Sequence, residues 1–263
     1  MTDDATKGDS AALKGVVLAG GSGSRLYPLT RITNKHLLPV YDRPMVYFPI
    51  QLLVAAGIDR ILIVTGGNHA GEFLPLLGNG SAFGLKHLDY TYQEHAAGIA
   101  DALRLARHFV GDDAVCVVLA DNIFEYSVRP HVEGFVRQDR GACILLSPVD
   151  EPQHYGVPVF AGDRIVAIEE KPSAPRSPYA VTGCYLYDNR VFEIVEGLAP
   201  SARGELEITD VNNAYLARGE LHHDVLEGYW ADCGESFDSY LRAQHRVAER
   251  GANKPSVARK PRP

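Results

Sequence analysis

The chain has 263 residues, 46% of them hydrophobic, with 26 Lys and Arg against 33 Asp and Glu, a formal net charge of −7. This is enough chain for one large core and an ordinary composition for a soluble globular protein, and the acidic balance argues against a nucleic-acid binder. No apolar run approaches membrane length and no charged-then-apolar leader opens the sequence, so a cytoplasmic protein is expected.

Residues 1–12 are polar and small and are expected to form a disordered tail, followed by a single domain over 13–250 and a basic flexible tail over 251–263. Gly15 to Ala19 reads as a buried strand that discharges into Gly20-Gly-Ser-Gly-Ser-Arg25. Gly20, Gly21 and Gly23 permit a sharp turn whose backbone N–H groups can approach a ligand, and Arg25 and Lys35 add two cations. That set suits a polyphosphate; a tight strand-to-helix turn with two surface cations would use the same residues. Pro44 to Gly57 reads as a mostly apolar helix in which Pro49 predicts a kink or a late start. Arg60 to Thr65 is a second apolar strand, Glu72 to Leu77 a short helical stretch, and Leu88 to Gln93 alternates like a half-exposed strand.

Gly98 opens a further helix, in which Ile99, Ala102, Leu103, Ala106 and Val110 share one face. Ala114 to Leu119 is a third apolar strand. The alternation predicts an α/β, Rossmann-like fold with a mostly parallel central sheet flanked by helices, and ligands gather at the carboxyl ends of such strands. Beyond Gly141, short strands are expected at Ala142 to Val149, Tyr155 to Phe160, Arg164 to Glu169 and Val181 to Tyr187. Together they suggest an added smaller sheet region over the strand ends. Helices around Val191 to Gly197 and Ile208 to Gly219, a strand at Leu221 to Leu226 and an amphipathic helix at about Ser236 to Glu249 complete the chain.

The four cysteines, Cys116, Cys143, Cys184 and Cys233, are widely spaced with no Cys-x-x-Cys pair, so structural thiols in a reducing cytoplasm are the reading. Asp121 follows an apolar strand, and Asp232 sits at another apolar-to-glycine transition. Each alone could simply cap a turn; together, beside a phosphate cradle, they would offer oxygen ligands to Mg²⁺. Lys171 could be a solvated edge residue or a point charge for a second phosphate, and Arg203 an exposed loop arginine or a similar anion contact.

Read together, several motifs match a known family: Leu18-Ala-Gly-Gly-Ser-Gly-Ser-Arg-Leu-Tyr-Pro-Leu-Thr30, Asn34-Lys-His-Leu-Leu-Pro-Val-Tyr-Asp42, Leu119-Ala-Asp-Asn-Ile-Phe124, Tyr155-Gly-Val157, Glu169-Glu-Lys-Pro172, Tyr179-Ala-Val-Thr-Gly183, Arg203-Gly-Glu-Leu-Glu-Ile-Thr-Asp210 and Trp230-Ala-Asp232. From about Lys14 to about Leu241 the chain resembles the bacterial sugar-1-phosphate nucleotidyltransferases, most closely the thymidylyl-transferring branch, in a short form without the branch's longer helical C-terminus. The resemblance implies Mg²⁺-dependent transfer of a nucleotidyl group from a nucleoside triphosphate, dTTP foremost, to a sugar 1-phosphate, glucose 1-phosphate foremost, giving dTDP-glucose and pyrophosphate. It implies that Gly20, Gly21, Gly23, Arg25 and Lys35 hold the triphosphate. Leu18, Gln93 and Gly98 would lie at the base, with His36 close to the nucleotide.

By the same resemblance Asp121 and Asp232 bind the metal, with Asp121 counted in the nucleotide site. Tyr155, Gly156, Glu170 and Val181 line the sugar site, and Lys171 and Arg203 hold the sugar phosphate. Arg25, Lys35 and Lys171 are the expected catalytic residues, and a homo-oligomer without nucleic-acid or membrane partners is expected. His36 stands where this branch usually carries glutamine, which leaves a uridylyl- or cytidylyltransferase on a related hexose 1-phosphate as an alternative. A non-catalytic nucleotide-sugar sensor is a further one. A dinucleotide oxidoreductase would need a third glycine where Leu26 stands.

Overall fold

The computed structural model describes residues 13–138 and 140–256; the tails expected at 1–12 and 257–263 lie outside them. Strand β1 (Leu13–Ala19) is buried along almost its whole length and turns alternate side chains to opposite faces. It leads to the short hairpin β2 (Pro39–Val40) and β3 (Arg43–Pro44), then α1 (Tyr47–Ala55), β4 (Arg60–Gly66), α2 (Phe73–Leu77) and β5 (His87–Gln93). Helices α3 (Ile99–Arg104) and α4 (Arg107–Val110) precede β6 (Ala114–Leu119) and β7 (Asn122–Phe124). The second half contributes α5 (Arg129–Gln138), β8 (Ala142–Pro148), β9 (Gly156–Ala161), β10 (Arg164–Glu170) and β11 (Tyr179–Tyr187). It ends with α6 (Val191–Glu196), α7 (Ile208–Ala217), β12 (Leu221–Val225), β13 (Trp230–Asp232) and α8 (Phe237–Arg250).

Seven strands form the central sheet in the order β12-β8-β11-β6-β1-β4-β5. β11 runs antiparallel to both neighbours while the other pairings are parallel. Val16 and Leu18 of β1 join a core on one face with Leu103, Val191 and Tyr215 from α3, α6 and α7. Val17 and Ala19 join the opposite core with Ile50, Phe73 and Val132 from α1, α2 and α5. A third cluster of Leu26, Val40, Met45, Ile123 and Tyr229 seats the inner face of α8 through Tyr240, Ala243 and Val247. A capping box between Ser236 and Ser239 starts α8.

The strands expected beyond Gly141 divide their allegiance. β8 and β11 extend the central sheet, and only the β9–β10 hairpin stands apart as a smaller sheet region. The first helix begins at Tyr47 because Pro44 is engaged in the β2–β3 hairpin, which puts Pro49 in the first turn, where its missing N–H is tolerated. The helix opened by Gly98 is interrupted between Arg104 and Arg107. Residues 251–254, which the sequence assigns to the basic tail, run along β7: Asn253 N donates to Phe124 O at 2.9 Å and Lys254 N to Glu125 O at 2.9 Å.

Candidate active site

At the carboxyl end of β1 the chain enters the glycine loop. Gly23 adopts φ 63, and Thr30 Oγ1 donates to its carbonyl at 2.9 Å, so the hydroxyl pins a turn that favours glycine. Gly20 is needed for proximity instead: a Cβ there would lie 2.9 Å from Gln93 Oε1 at the end of β5. Beyond the loop, Asn34 Oδ1 accepts from the His36 backbone N–H at 2.9 Å and lies 2.8 Å from His36 Nδ1. This short turn points Lys35 inward, where its Nζ meets Asp121 Oδ2 at 2.5 Å.

Asp121 follows β6 and is 7% exposed. The antiparallel pairing of β7 and β13 sets Asp232 opposite Asn122, directly beside Asp121 in the chain. Trp230 Nε1 and the Gly183 N–H both donate to Asn122 Oδ1, at 2.7 and 2.9 Å, which fixes that register. Burial works against charge on Asp121, yet contact with Lys35 holds its carboxyl well below the usual range. Asp232 is pushed well above that range by burial and by the charge of Asp121. Lys35 feels burial in the opposite sense, but the two carboxylates outweigh it and keep the ammonium charged. Burial and the neighbouring Lys35 push His36 down to about 3, so its ring is neutral at physiological pH.

The opposite wall comes from the β9–β10 hairpin and the start of α7. Lys171 holds φ 45, outside the range a lysine favours, with its N–H donating to Tyr155 O at 3.0 Å. Thr209 Oγ1 donates to Glu170 Oε2 at 2.6 Å, and Gly156 lies against both, with a Cβ position 3.2 Å from Thr209 Oγ1. Arg203 is 2.8 Å from Glu207 and 3.4 Å from Glu170. On the first wall Arg25 reaches across to Glu235 at 2.7 Å. Arg25 and Arg203, like Lys35, are thus already paired with carboxylates that line the cavity.

Every candidate binding, catalytic or metal residue named in the sequence lines one cavity of about 410 Å³. Leu18, Gly20, Gly21, Gly23, Arg25, Lys35, His36, Gln93 and Gly98 line it, together with Asp121 and Asp232. So do Tyr155, Gly156, Glu170, Lys171, Val181 and Arg203. Thr209, Asn122, Trp230 and Glu235 line it as well and were not singled out. Thr209, Asn122 and Trp230 lie within the motifs that carry the resemblance; nothing local in the sequence marks Glu235. Among the described residues no cluster of three or more His, Cys, Asp or Glu suits a metal. Lys35 balances the charge of buried Asp121, while the second carboxylate, on half-buried Asp232, is pushed toward its protonated form and has no cation paired to it among the described residues. The pair therefore fits a hard cation that takes its remaining oxygens from substrate phosphates.

A family described as Nucleotidyl transferase matches residues 14–250. Glucose-1-phosphate thymidylyltransferase of Neisseria meningitidis is 46% identical over 226 residues, 84% of this chain and 78% of that protein. The enzyme of the same name from Mycolicibacterium smegmatis is 45% identical over 241 residues, 89% of this chain and 82% of that protein. A solved structure from Bacillus anthracis, described by the same activity and in complex with sucrose, superposes with TM-score 0.85. It has 50% identity over 89% of this chain and 94% of its own. A UDP-glucose pyrophosphorylase at 22% identity shares the fold, with TM-score 0.78.

Proposed function

The chain belongs to the nucleotidyl transferase family, and we propose that within it the protein joins dTTP and glucose 1-phosphate to give dTDP-glucose and pyrophosphate. The observation that carries this reading is one cavity lined by the glycine loop, by Arg25, Lys35, Lys171 and Arg203, and by the carboxylates Asp121 and Asp232, with Lys35 on Asp121 at 2.5 Å. A sugar phosphate is already an anion, so no base is needed to create the nucleophile. One of its phosphate oxygens attacks the α-phosphorus, the new P–O bond forms, and the bond to the β-phosphate breaks to release pyrophosphate. The difficulty lies in bringing two anions together and stabilising charge as it moves, which is work for positioning and electrostatics.

The glycine loop, Arg25 and Lys35 bind the triphosphate, while Leu18, Gln93 and Gly98 frame the base. Lys171 and Arg203 hold the sugar phosphate, and Tyr155, Gly156, Glu170 and Val181 frame the sugar. Asp121 and Asp232 would hold Mg²⁺, which neutralises phosphate charge when bound. His36 is neutral, is tied to Asn34 and lines the cavity next to Lys35, so it supports the Lys35 turn as a nucleotide-side residue. Four buried free thiols fit a reducing cytoplasm, and no helix among the described residues is long and apolar enough to cross a membrane. A homo-oligomeric assembly completes the reading, to be measured by light scattering.

The test is pyrophosphate release from dTTP, UTP, CTP, ATP and GTP against several sugar 1-phosphates, with and without Mg²⁺. The highest kcat/KM is expected for dTTP with glucose 1-phosphate, and none without a divalent ion. No release with any pair would leave a binding protein instead.

A further inference from the structure

Gln93 ends β5 at the wall where the base is proposed to lie, and what its amide presents depends on which way round it sits. Its Nε2 is 2.9 Å from Asp101 Oδ2 and 3.3 Å from the Gly98 carbonyl oxygen. A carboxylate and a carbonyl only accept hydrogen bonds, so both contacts demand the NH₂ end of the amide. With the amide reversed, an oxygen would face two acceptors and leave polar groups unpaired, which is costly. The orientation is therefore fixed by the chemistry of the partners.

Asp101 is itself held. Its other oxygen accepts from Arg104 Nη2 at 2.8 Å, and its side chain is only 13% exposed. Gln93 lines the cavity, whereas Asp101 stands behind it and does not. On the far side of the amide, Oε1 abuts Gly20, close enough that a Cβ there would lie at 2.9 Å. The oxygen is thus the end left to meet a ligand.

We propose that Asp101 is a positioning residue for base specificity: by locking the Gln93 amide it presents a fixed acceptor that selects a pyrimidine with a ring N–H and rejects cytosine. The proposal deepens the proposed function and rests on its placement of the base beside Gln93. Thymine and uracil carry a proton on N3 and can donate to Oε1. Cytosine carries a lone pair there, so its N3 would face an acceptor. A glutamine free to turn over could serve either base; one clamped by an anchored carboxylate cannot.

The measurement is a matched comparison of dTTP and dCTP, by isothermal titration and by kcat/KM, for the intact protein and for the Asp101→Ala and Asp101→Asn variants. The intact protein is expected to favour dTTP. Asp101→Ala should reduce that preference by about tenfold or more, chiefly through better use of dCTP. Asp101→Asn, nearly isosteric and able to either donate or accept, should fall between the two and guards against misfolding of the alanine variant. A purely structural role for Asp101 would lower the values for both nucleotides and leave their ratio unchanged, which would overturn the proposal. So would an intact protein that binds the two nucleotides equally. Retained discrimination in binding without pyrophosphate release would overturn the proposed reaction and leave the role of Asp101 standing.

Discussion

Asp121 and Asp232 are the same residue type in one buried site, and their environments drive them apart. Lys35 holds the first ionised, while burial and the first carboxylate raise the second. Gly234 controls how close these groups come, because a Cβ there would sit 2.4 Å from Asp121 Oδ2 and 2.9 Å from Lys35 Nζ. Gly234→Ala must therefore displace the carboxylate or the ammonium. We expect kcat to fall at least about tenfold with little change in melting temperature, because a small misplacement of charged groups weighs heavily on turnover. Normal turnover would show that the Lys35–Asp121 contact is dispensable. Glu235 makes a different prediction. It pairs with Arg25, which is 52% exposed on its side chain, and so competes with the triphosphate for that guanidinium. Glu235→Gln should lower KM for the triphosphate a few-fold, within the range of a half-exposed ion pair. Asp232 was legible because an apolar run ended in glycine beside it. Glu235 was not, since its partner lies 210 positions away and no local pattern encodes such a contact.

The β7–β13 ribbon is the element on which the site depends, and it is also where sequence reading is weakest. Each strand has three residues, too few for a period to declare itself. Helix α5 was missed for another reason: Pro130 and Gly134 interrupt a segment whose Val132 and Phe135 nonetheless bury at helical spacing. Longer apolar strands such as β1, β4 and β6 were legible, because burial on both faces leaves continuous hydrophobic runs. The ribbon's far end is fastened by Glu125, which is 1% exposed. Its carboxylate accepts from the Tyr229 N–H at 3.0 Å and pairs with Lys254 at 2.7 Å and Arg250 at 2.9 Å. Burial opposes charge on Glu125, but the Lys254 and Tyr229 hydrogen bonds and the nearby Arg250 charge win, and its pKa falls. A carboxylate whose folded pKa lies below its unfolded value stabilises fully above the unfolded value, about 4.3, and loses that contribution as pH drops through the folded one. Glu125→Gln should therefore cost about 1–3 kcal/mol at pH 7. Its melting curve should converge with that of the unaltered protein as the pH falls below about 4. A gap that stayed constant in acid would assign the effect to shape instead of charge.

Across the whole molecule the cleft is lined by two parts of the chain. On the proposed reading the triphosphate meets the strand ends of the first half, and the sugar phosphate meets the β9–β10 hairpin and the approach to α7, all of which line the one cavity. This division was legible as a change of pattern after Gly141, although the return of β8 and β11 to the central sheet was not. Strand membership there is decided by partners distant in sequence. The protein carries net charge −7, so its anionic substrates must be held by local cations, and each wall has its own. Lys171 is the clearest case on the second wall. Its backbone is fixed at φ 45 by the bond to Tyr155 O, and alanine can keep that conformation about as well as lysine, so Lys171→Ala removes charge with little change to the backbone. A charged hydrogen bond to phosphate is worth about 1.5–3 kcal/mol, roughly ten- to a hundredfold in affinity. Titration calorimetry should show that loss for glucose 1-phosphate, with dTTP affinity changed less than about threefold. An equal loss for both ligands would mean that the walls are not independent and that Lys171 acts on the cleft as a unit.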